Sequence, residues 1–454
     1  MKYKILAVIV IVVYFLQTFF VSFGGIGADS LSYFGIAADL PDLKTNLFPL
    51  GYPILLKTMF YFTQDYFWAS KILNTIFGIL ILAFSYSKKF YFRETVLLLA
   101  AKTFYFAFFG AMSEGPFIFF MYFLLYFLHQ LMHNKSGYSN ALLASFMLFF
   151  MFTCRYSAIY VYLGITLFFV LTISKMRSKG YFLPFLLFLC VSGVAIGSYL
   201  IFNYMYFGSF TGEVIRGSEN DLSMTQTFRN VVGMFNAIDP YIGLKPKSDS
   251  FGSLAFQLIL FLIDIAILRF IIIYFRKAKN TENYYFHLLL WVVSLFYAVA
   301  IFFSFRFQQI EELGIRLMLV SNICLFFSFL ILYFKNTTSD KIVWNTSCLF
   351  FIFLVLYGLK DPGNYLKNKR EIEPQMAQFA NKEYLFNNET HIIQVTNYQL
   401  PFSNKSFQYT HTNNQIGKLK ESYAGTINPK IKWLKQDTVQ DKSKVLYTSQ
   451  LRLK

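Results

Sequence analysis

Long apolar runs recur along most of this chain and constrain its fold more than any other feature. Only 14% of the 454 residues are charged and 21% are aromatic, whereas a soluble chain carries about 25% charged residues. A run of about 20 apolar residues is long enough to cross a bilayer as a helix. Such runs occupy approximately 3–23, 66–87, 95–112, 117–133, 139–154, 156–174, 181–206, 251–275, 284–304, 315–334 and 341–358. The sequence therefore predicts an α-helical polytopic membrane protein with about eleven spans, of which 139–154 and 156–174 form either two spans or one bent hairpin.

The net charge of +17 lies largely in short connections between these runs, so it indicates membrane orientation instead of nucleic-acid binding. Alternate connections carry fourteen cationic residues: Lys2, Lys4, Lys88, Lys89, Arg93, Lys135, Lys175, Arg177, Lys179, Arg276, Lys277, Lys279, Lys335 and Lys341. Lys and Arg concentrate in cytoplasmic loops. We therefore expect a cytoplasmic amino terminus and an extracytoplasmic carboxyl terminus in a multi-pass protein of a bacterial plasma membrane.

This topology predicts two domains. Residues 1–358 form a transmembrane domain with two long outer loops, 24–65 and 207–250, and the first apolar run is read as an uncleaved helix because no clear cleavage site follows it. The more polar residues 359–454 are expected to form a small extracytoplasmic α/β domain. Its predicted elements are a helix at Gln375–Phe386 and strands at His391–Thr396 and Val445–Thr448.

With that topology, ionisable residues far apart in sequence meet at the outer membrane surface. Asp29 follows the first span, Glu114 lies in the turn Ser113-Glu114-Gly115-Pro116, and Arg155 separates two spans. Arg306 and Arg316 flank the connection before a late span. Ionisable groups at membrane depth are costly and usually face a polar interior. Acids and cations gathered at one face predict a site for charged chemistry.

Each of these residues also has a purely structural interpretation. Asp29 or Ser30 can cap an interfacial amphipathic helix over Leu31–Leu40. Ser113 can cap the following span, with Glu114 near the positive end of the helix dipole. The arginines can extend their guanidinium groups to lipid headgroups. The functional interpretation therefore depends on the whole set and its order along the chain.

That order resembles a known family. The motifs that carry the resemblance are Asp29-Ser30-x-x-Tyr33, Phe48-Pro49-Leu50-Gly51-Tyr52-Pro53 and Ala69-Ser70-Lys71-Ile72-Leu73-Asn74, followed by the Ser113–Pro116 turn and the later Arg155 and Arg316. They are similar to those of the GT-C superfamily of membrane glycosyltransferases, which includes protein mannosyltransferases and aminoarabinose transferases. The resemblance covers roughly residues 1–175 and, more weakly, 300–330.

The resemblance implies a sugar transferase that takes its donor from a polyprenyl phosphate and passes the sugar to a lipid, glycan or protein. It implies a reaction-centre carboxylate in the first outer loop, where Asp29 matches. Many relatives carry paired acids there, whereas Asp29 is followed by Ser30. The sequence therefore leaves the use of a divalent metal undecided and makes Glu114 the second candidate acid.

Glycosyl transfer needs a base for the acceptor hydroxyl and cations for a phosphate leaving group. We assign Asp29 as the candidate base of an inverting displacement. Arg155, Arg306 and Arg316 are candidate phosphate ligands, because a guanidinium donates in parallel to phosphate oxygens. Tyr33 and Lys71, which lie in the motifs above, complete the predicted binding residues, and loop 207–250 is long enough to act as a lid.

Three other functions stay open. A lipid-linked saccharide polymerase or ligase would depend on arginines of loop 207–250 and not on Asp29 or Glu114. A lipid or saccharide transporter would line a path at mid-depth with Lys71, Lys102, Asp264 and Arg269. If the protein were a membrane scaffold without chemistry, the outer acidic residues would not share a pocket.

Overall fold

The computed structural model describes residues 1–20, 25, 28–43, 45–133, 137–212, 223–237, 239, 250–307, 313–359, 394–399 and 406–411. Within them lie fifteen α-helices and one strand pair. The helices are α1 (Lys2–Leu16), α2 (Ala28–Asp39), α3 (Gly51–Thr63), α4 (Tyr66–Ser87), α5 (Phe92–Leu99), α6 (Lys102–Phe109), α7 (Glu114–Met132), α8 (Gly137–Cys154), α9 (Ala158–Ser178), α10 (Phe182–Phe207), α11 (Met224–Phe235), α12 (Phe251–Lys277), α13 (Tyr284–Phe307), α14 (Leu319–Asn336) and α15 (Lys341–Gly358). The chain is a helical, multi-pass membrane protein, because ten of these helices are long and apolar enough to cross a bilayer.

One predicted span differs from the structure. The run at 95–112 forms two short helices, α5 and α6, so ten helices of spanning length replace the predicted eleven among the described residues. The interruption lies at Ala100 and Ala101, where Ala101 takes an extended conformation. The Tyr14 hydroxyl donates to the Leu99 carbonyl, which satisfies a backbone acceptor near the break. The runs at 139–154 and 156–174 are two separate helices, α8 and α9.

The cationic connections meet at one end of the bundle. The ammonium of Lys2 lies 2.7 Å from Asp340, which precedes α15, and Lys4 donates to the Tyr86 hydroxyl at the end of α4 over 2.6 Å. His133, just after α7, lies 2.9 Å from the side-chain oxygen of Asn283, just before α13. The shared face that the sequence predicts for these connections is therefore present, and we call it the Lys2 face. Its assignment to the cytoplasm stays a prediction.

The opposite end of the bundle, which we call the Asp29 face, carries helices within the predicted outer loop 24–65. Asp65 begins α4 as a capping residue, since its carboxylate accepts from the backbone amides of Phe67 (2.8 Å) and Trp68. The helix predicted over Leu31–Leu40 is present as α2, but it begins at Ala28. Asp29 therefore lies in the first turn of α2 and does not precede it as a cap.

The bundle core is built around α14, almost all of which is buried. Ser321 and Ser294 exchange hydroxyl-to-carbonyl hydrogen bonds between α14 and α13. His287 of α13 is buried and shares a 2.9 Å hydrogen bond with Ser328 of α14. These contacts pair polar groups of α13 and α14 inside the membrane and hold the two helices together.

In the carboxyl-terminal region the structure describes β1 (Gln394–Gln399) and β2 (Ser406–His411), an antiparallel pair in which Gln394 faces His411. Strand β1 lies against α2. The predicted helix at Gln375–Phe386 and the predicted strand at Val445–Thr448 fall outside the described residues. The α/β domain over 359–454 stays a prediction.

Candidate functional site

Four ionisable side chains from separate parts of the chain meet at the Asp29 face. Asp29 comes from the first turn of α2 and Glu114 is the first residue of α7. Arg155 lies between α8 and α9, and Arg316 lies in the turn before α14. Asp29 and Arg316 are 287 residues apart in sequence and in direct contact. The structure thus brings together four of the residues that the sequence predicts to converge.

Arg316 bridges the two acids. Its Nε donates to Glu114 Oε1, and its Nη2 donates to Asp29 Oδ2. Arg155 Nη1 pairs with the same Glu114 oxygen. The fork geometry of a guanidinium allows one side chain to engage two carboxylates at once, which a lysine ammonium does less well. We call Asp29, Glu114, Arg155 and Arg316 the charged cluster.

The charged cluster has a buried half and an accessible half. The exposed fraction of the side chain is 4% for Glu114 and 14% for Arg155, but 30% for Arg316 and 34% for Asp29. Burial is the largest influence on Arg155 and lowers its pKa, but Glu114 together with Tyr33 and Tyr297 raises the pKa by more, so the net pKa is raised and the guanidinium stays charged. The Glu114–Arg155 pair is therefore the fixed part of the cluster, and the Asp29–Arg316 pair is the part that a solute can reach.

The formal charges of the two acids and two arginines of the charged cluster sum to zero. Glu114 Oε2 is buried and accepts no hydrogen bond from the described residues. A phosphate that reached the cluster would offer several strong acceptors and would compete with Asp29 for Arg316. Such an exchange frees the Asp29 carboxylate while keeping the guanidinium paired.

Tyr33 links α2 to the turn that carries Glu114. Its hydroxyl lies 2.8 Å from Ser113 Oγ, and its ring contacts those of Phe48 and Tyr52. Burial raises the pKa of Tyr33, so the hydroxyl is neutral. Tyr33 was predicted to bind substrate, but it is buried and lies where it can position Glu114. Ser113 precedes α7, but its side chain accepts no capping hydrogen bond from the first backbone amides of the helix, contrary to the capping interpretation.

Two side chains of α4 hold the segment that leads to Glu114. Lys71 donates to the carbonyl of Phe109, and Asn74 donates to those of Phe108 (3.2 Å) and Gly110 (2.8 Å). Three consecutive carbonyls at the end of α6 are thereby satisfied from one neighbouring helix. The ammonium of Lys71, a predicted phosphate ligand, is buried in this contact.

Asn74 and Gly115 were not predicted as site residues. A Cβ atom on Gly115 would overlap the Asn74 side chain, so only glycine allows α7 to begin this close to α4. Lys71 and Asn74 belong to one quoted motif, and their spacing of three residues places them on one helix face, which is the sequence signal for their shared role. The sequence does not indicate that the backbone carbonyls of Phe108, Phe109 and Gly110 are their partners.

Arg306 lies away from the predicted position, whereas the predicted lid over 207–250 stays a prediction because residues 213–222 and 240–249 fall outside the described residues. Arg306 lies exposed near the end of α13, and within the described part of the chain no contact joins it to the charged cluster. The loop contains α11, whose Asn230 accepts from the backbone amide of Leu313 over 3.0 Å. A Cβ atom on Gly233 would overlap the Leu313 carbonyl. Helix α11 therefore supports the segment that leads to Arg316.

Chemically, the cluster offers an accessible carboxylate beside a cation that can bind a phosphate. Among the described residues, no group of three or more His, Cys, Asp or Glu side chains could hold a metal ion. No protein-family model matches the chain, and no curated protein sequence matches it either. Inference about function therefore depends on the chemistry of the charged cluster and on the motifs that surround it.

Proposed function

We propose that the chain is an integral membrane glycosyltransferase that resembles the GT-C superfamily. It moves a sugar from a polyprenyl-phosphate-linked donor to a lipid, glycan or protein acceptor, with inversion at the anomeric carbon. The observation that carries this proposal is the contact between the accessible Asp29 carboxylate and the Arg316 guanidinium at one end of a membrane helix bundle. That pair supplies the two charges that the reaction needs.

In the proposed reaction, Asp29 accepts the proton of the acceptor hydroxyl as its oxygen attacks the anomeric carbon. The bond between that carbon and the phosphate oxygen breaks, and the phosphate leaves with the electron pair. Arg316, supported by Arg155, stabilises the negative charge that develops on the phosphate. A single displacement of this kind inverts the anomeric configuration.

Glu114 has a different role from Asp29 in this scheme. It was a candidate second acid, but both arginines of the cluster contact its carboxylate and its side chain is only 4% exposed. A buried carboxylate that is shared by two guanidiniums is suited to holding them in position. We therefore assign Glu114 the orientation of Arg155 and Arg316, and Asp29 the proton transfer.

The positive-inside rule supports an extracytoplasmic location for the charged cluster, since the cationic connections lie at the opposite face. Donors carried by polyprenyl phosphate would reach this cluster with their lipid chains in the bilayer. The partners in this proposal are thus a polyprenyl-phosphate sugar, a saccharide acceptor and the surrounding membrane lipids.

A transporter is the second candidate, and one observation favours it. Helix α12 carries the buried Asp264, whose Oδ2 has no hydrogen-bond partner among the described residues, and Lys102 begins α6 directly after the helix break. Interrupted helices with buried charges occur in transporters. Arg269 is exposed on α12 and does not line an interior path. Asp264→Asn should leave sugar transfer unchanged if the glycosyltransferase proposal is correct.

The proposal is tested by mass spectrometry of lipid-linked and surface saccharides in cells with the gene present and deleted. We expect one surface saccharide to lose a sugar and the corresponding polyprenyl-phosphate sugar to accumulate in the deletion. Identical saccharide profiles in the two strains would contradict the proposal. If replacing the arginines of loop 207–250 abolished the saccharide and replacing Asp29 did not, a saccharide polymerase or ligase would be favoured instead.

A further inference from the structure

A second site lies at the Lys2 face, far from the charged cluster. The connection between α4 and α5 borders a cavity of about 600 Å³, which is lined by Tyr86, Ser87, Lys89, Phe92 and Arg93 among others. Helix α7 separates this face from Glu114, and its 19 residues correspond to roughly 28 Å at 1.5 Å per residue. The cavity is therefore independent of the proposed reaction.

The backbone around this cavity has an unusual conformation. Lys89 and Tyr91 both have positive φ angles, 53° and 49°, although neither is glycine. Such residues are uncommon and concentrate at functional positions, where the surrounding structure holds them. Here Asn283 donates to the Tyr91 hydroxyl over 2.7 Å, and the Phe90 amide donates to the Ser85 carbonyl over 3.0 Å. The connection is thus a fixed turn that shapes the cavity.

The cavity is cationic. Lys89 and Arg93 line it, and the ammonium of Lys4 reaches the lining residue Tyr86 over 2.6 Å. Glu94 also lines it, but its side chain is only 6% exposed and its carboxylate lies 3.4 Å from Arg93, whose side chain is 50% exposed. The guanidinium of Arg93 lies 4.4 Å from the centre of the Phe334 ring, which fixes it in place. Positive charge therefore dominates the accessible surface of the cavity.

Apolar helix surfaces continue from the cavity into the membrane. Helices α1 and α4 pack against each other, and both expose large aliphatic side chains, including Ile5, Val8, Ile79 and Leu80. A ligand that has an anionic head and acyl chains can contact the cations and these surfaces together. A soluble anion would contact the cations alone.

From this combination we propose that the cavity, with the adjoining surfaces of α1 and α4, binds an anionic phospholipid. The phosphate of the headgroup contacts Lys89 and Arg93, and the acyl chains lie along α1 and α4. Basic pockets between membrane helices bind anionic headgroups in this manner. In the predicted orientation the lipid belongs to the cytoplasmic leaflet.

The test uses the full chain purified in a neutral detergent. Phosphatidylglycerol or phosphatidylcholine is added, and native mass spectrometry measures the bound fraction while a thermal scan measures the melting temperature. We expect phosphatidylglycerol to bind and raise the melting temperature, and the double variant Lys89→Gln/Arg93→Gln to lower the bound fraction at least tenfold. The charge-conserving variant Lys89→Arg/Arg93→Lys should retain binding, which separates lost charge from misfolding.

Arg177 and Lys179 provide the matched control. They belong to another connection at the same face, where they contact the rings of Phe182 and Tyr285. Arg177→Gln/Lys179→Gln removes the same charge and should leave lipid binding within twofold of the original value. Equal loss in both double variants would overturn the proposal in favour of general surface charge. The proposal would also be overturned if inorganic phosphate, added at the same concentration as the lipid, displaced all of the bound phosphatidylglycerol. The cavity would then be a site for soluble anions.

Discussion

Replacing Arg316 by lysine should separate the folding of the chain from its activity. Arg316 contacts Glu114 through Nε and Asp29 through Nη2, and one ammonium group cannot reproduce both directions. If the lysine keeps the contact with the buried Glu114, the contact with Asp29 is lost. Asp29 and Arg316 are each about one-third exposed, and exposed ion pairs contribute about 0.2–1 kcal/mol. We therefore expect the free energy of unfolding to fall by about 1 kcal/mol or less.

The same change should reduce sugar transfer far more than stability. Removing one prepositioned donor from an active site typically lowers kcat about 10²–10³-fold, and Arg316 is the donor that lies beside the proposed base. The assay is complementation of the deletion strain, with the saccharide profile measured by mass spectrometry and folding measured by a thermal scan in detergent. Arg177→Lys at the opposite face is the matched control and should leave both readouts unchanged. Normal transfer by the Arg316→Lys variant would refute the role of the guanidinium fork.

Two further variants test the parts that support the cluster. Glu114→Gln leaves the buried guanidinium of Arg155 without its carboxylate partner, so the free energy of unfolding should fall by about 3–5 kcal/mol; a melting temperature in detergent within a degree of the original would contradict that role. Gly115→Ala places a Cβ atom on the Asn74 side chain and should displace the start of α7, which lowers transfer. Gly197→Ala, where a Cβ atom meets no atom within 4 Å, should retain full transfer in the same assay.

The membrane fold could be read from the sequence because a span requires about 20 apolar residues, which is a strong local signal. The break in the third predicted span could not, since Ala100 and Ala101 are residues that favour an unbroken helix. The break depends on tertiary contacts, including the hydrogen bond from Tyr14 to the Leu99 carbonyl. Periodicity within one segment contains no information about such contacts.

That Asp29, Glu114, Arg155 and Arg316 lie at one face followed from sidedness, since alternating spans bring every second connection to one face, but the same reasoning also included Arg306, which lies outside the charged cluster. Its internal geometry did not follow. The sequence offers no reason to assign different roles to Arg155, Arg306 and Arg316. In the structure Arg316 bridges two acids, Arg155 pairs with one, and Arg306 is exposed near the end of α13. Contacts between α11 and Leu313 help to set where the segment before Arg316 lies, and the sequence does not show such contacts.

The central claim is that Asp29 is the base of a sugar transfer reaction. The most direct test uses purified protein in vesicles made from lipids of the deletion strain. Those lipids should contain the donor, because cells without the protein are expected to accumulate it. Mass spectrometry then follows the loss of the polyprenyl-phosphate sugar after an extract that contains the acceptor is added. If Asp29 is the base, the original protein consumes the donor and a folded Asp29→Asn variant does not. Consumption of the donor at the same rate by both proteins would contradict it.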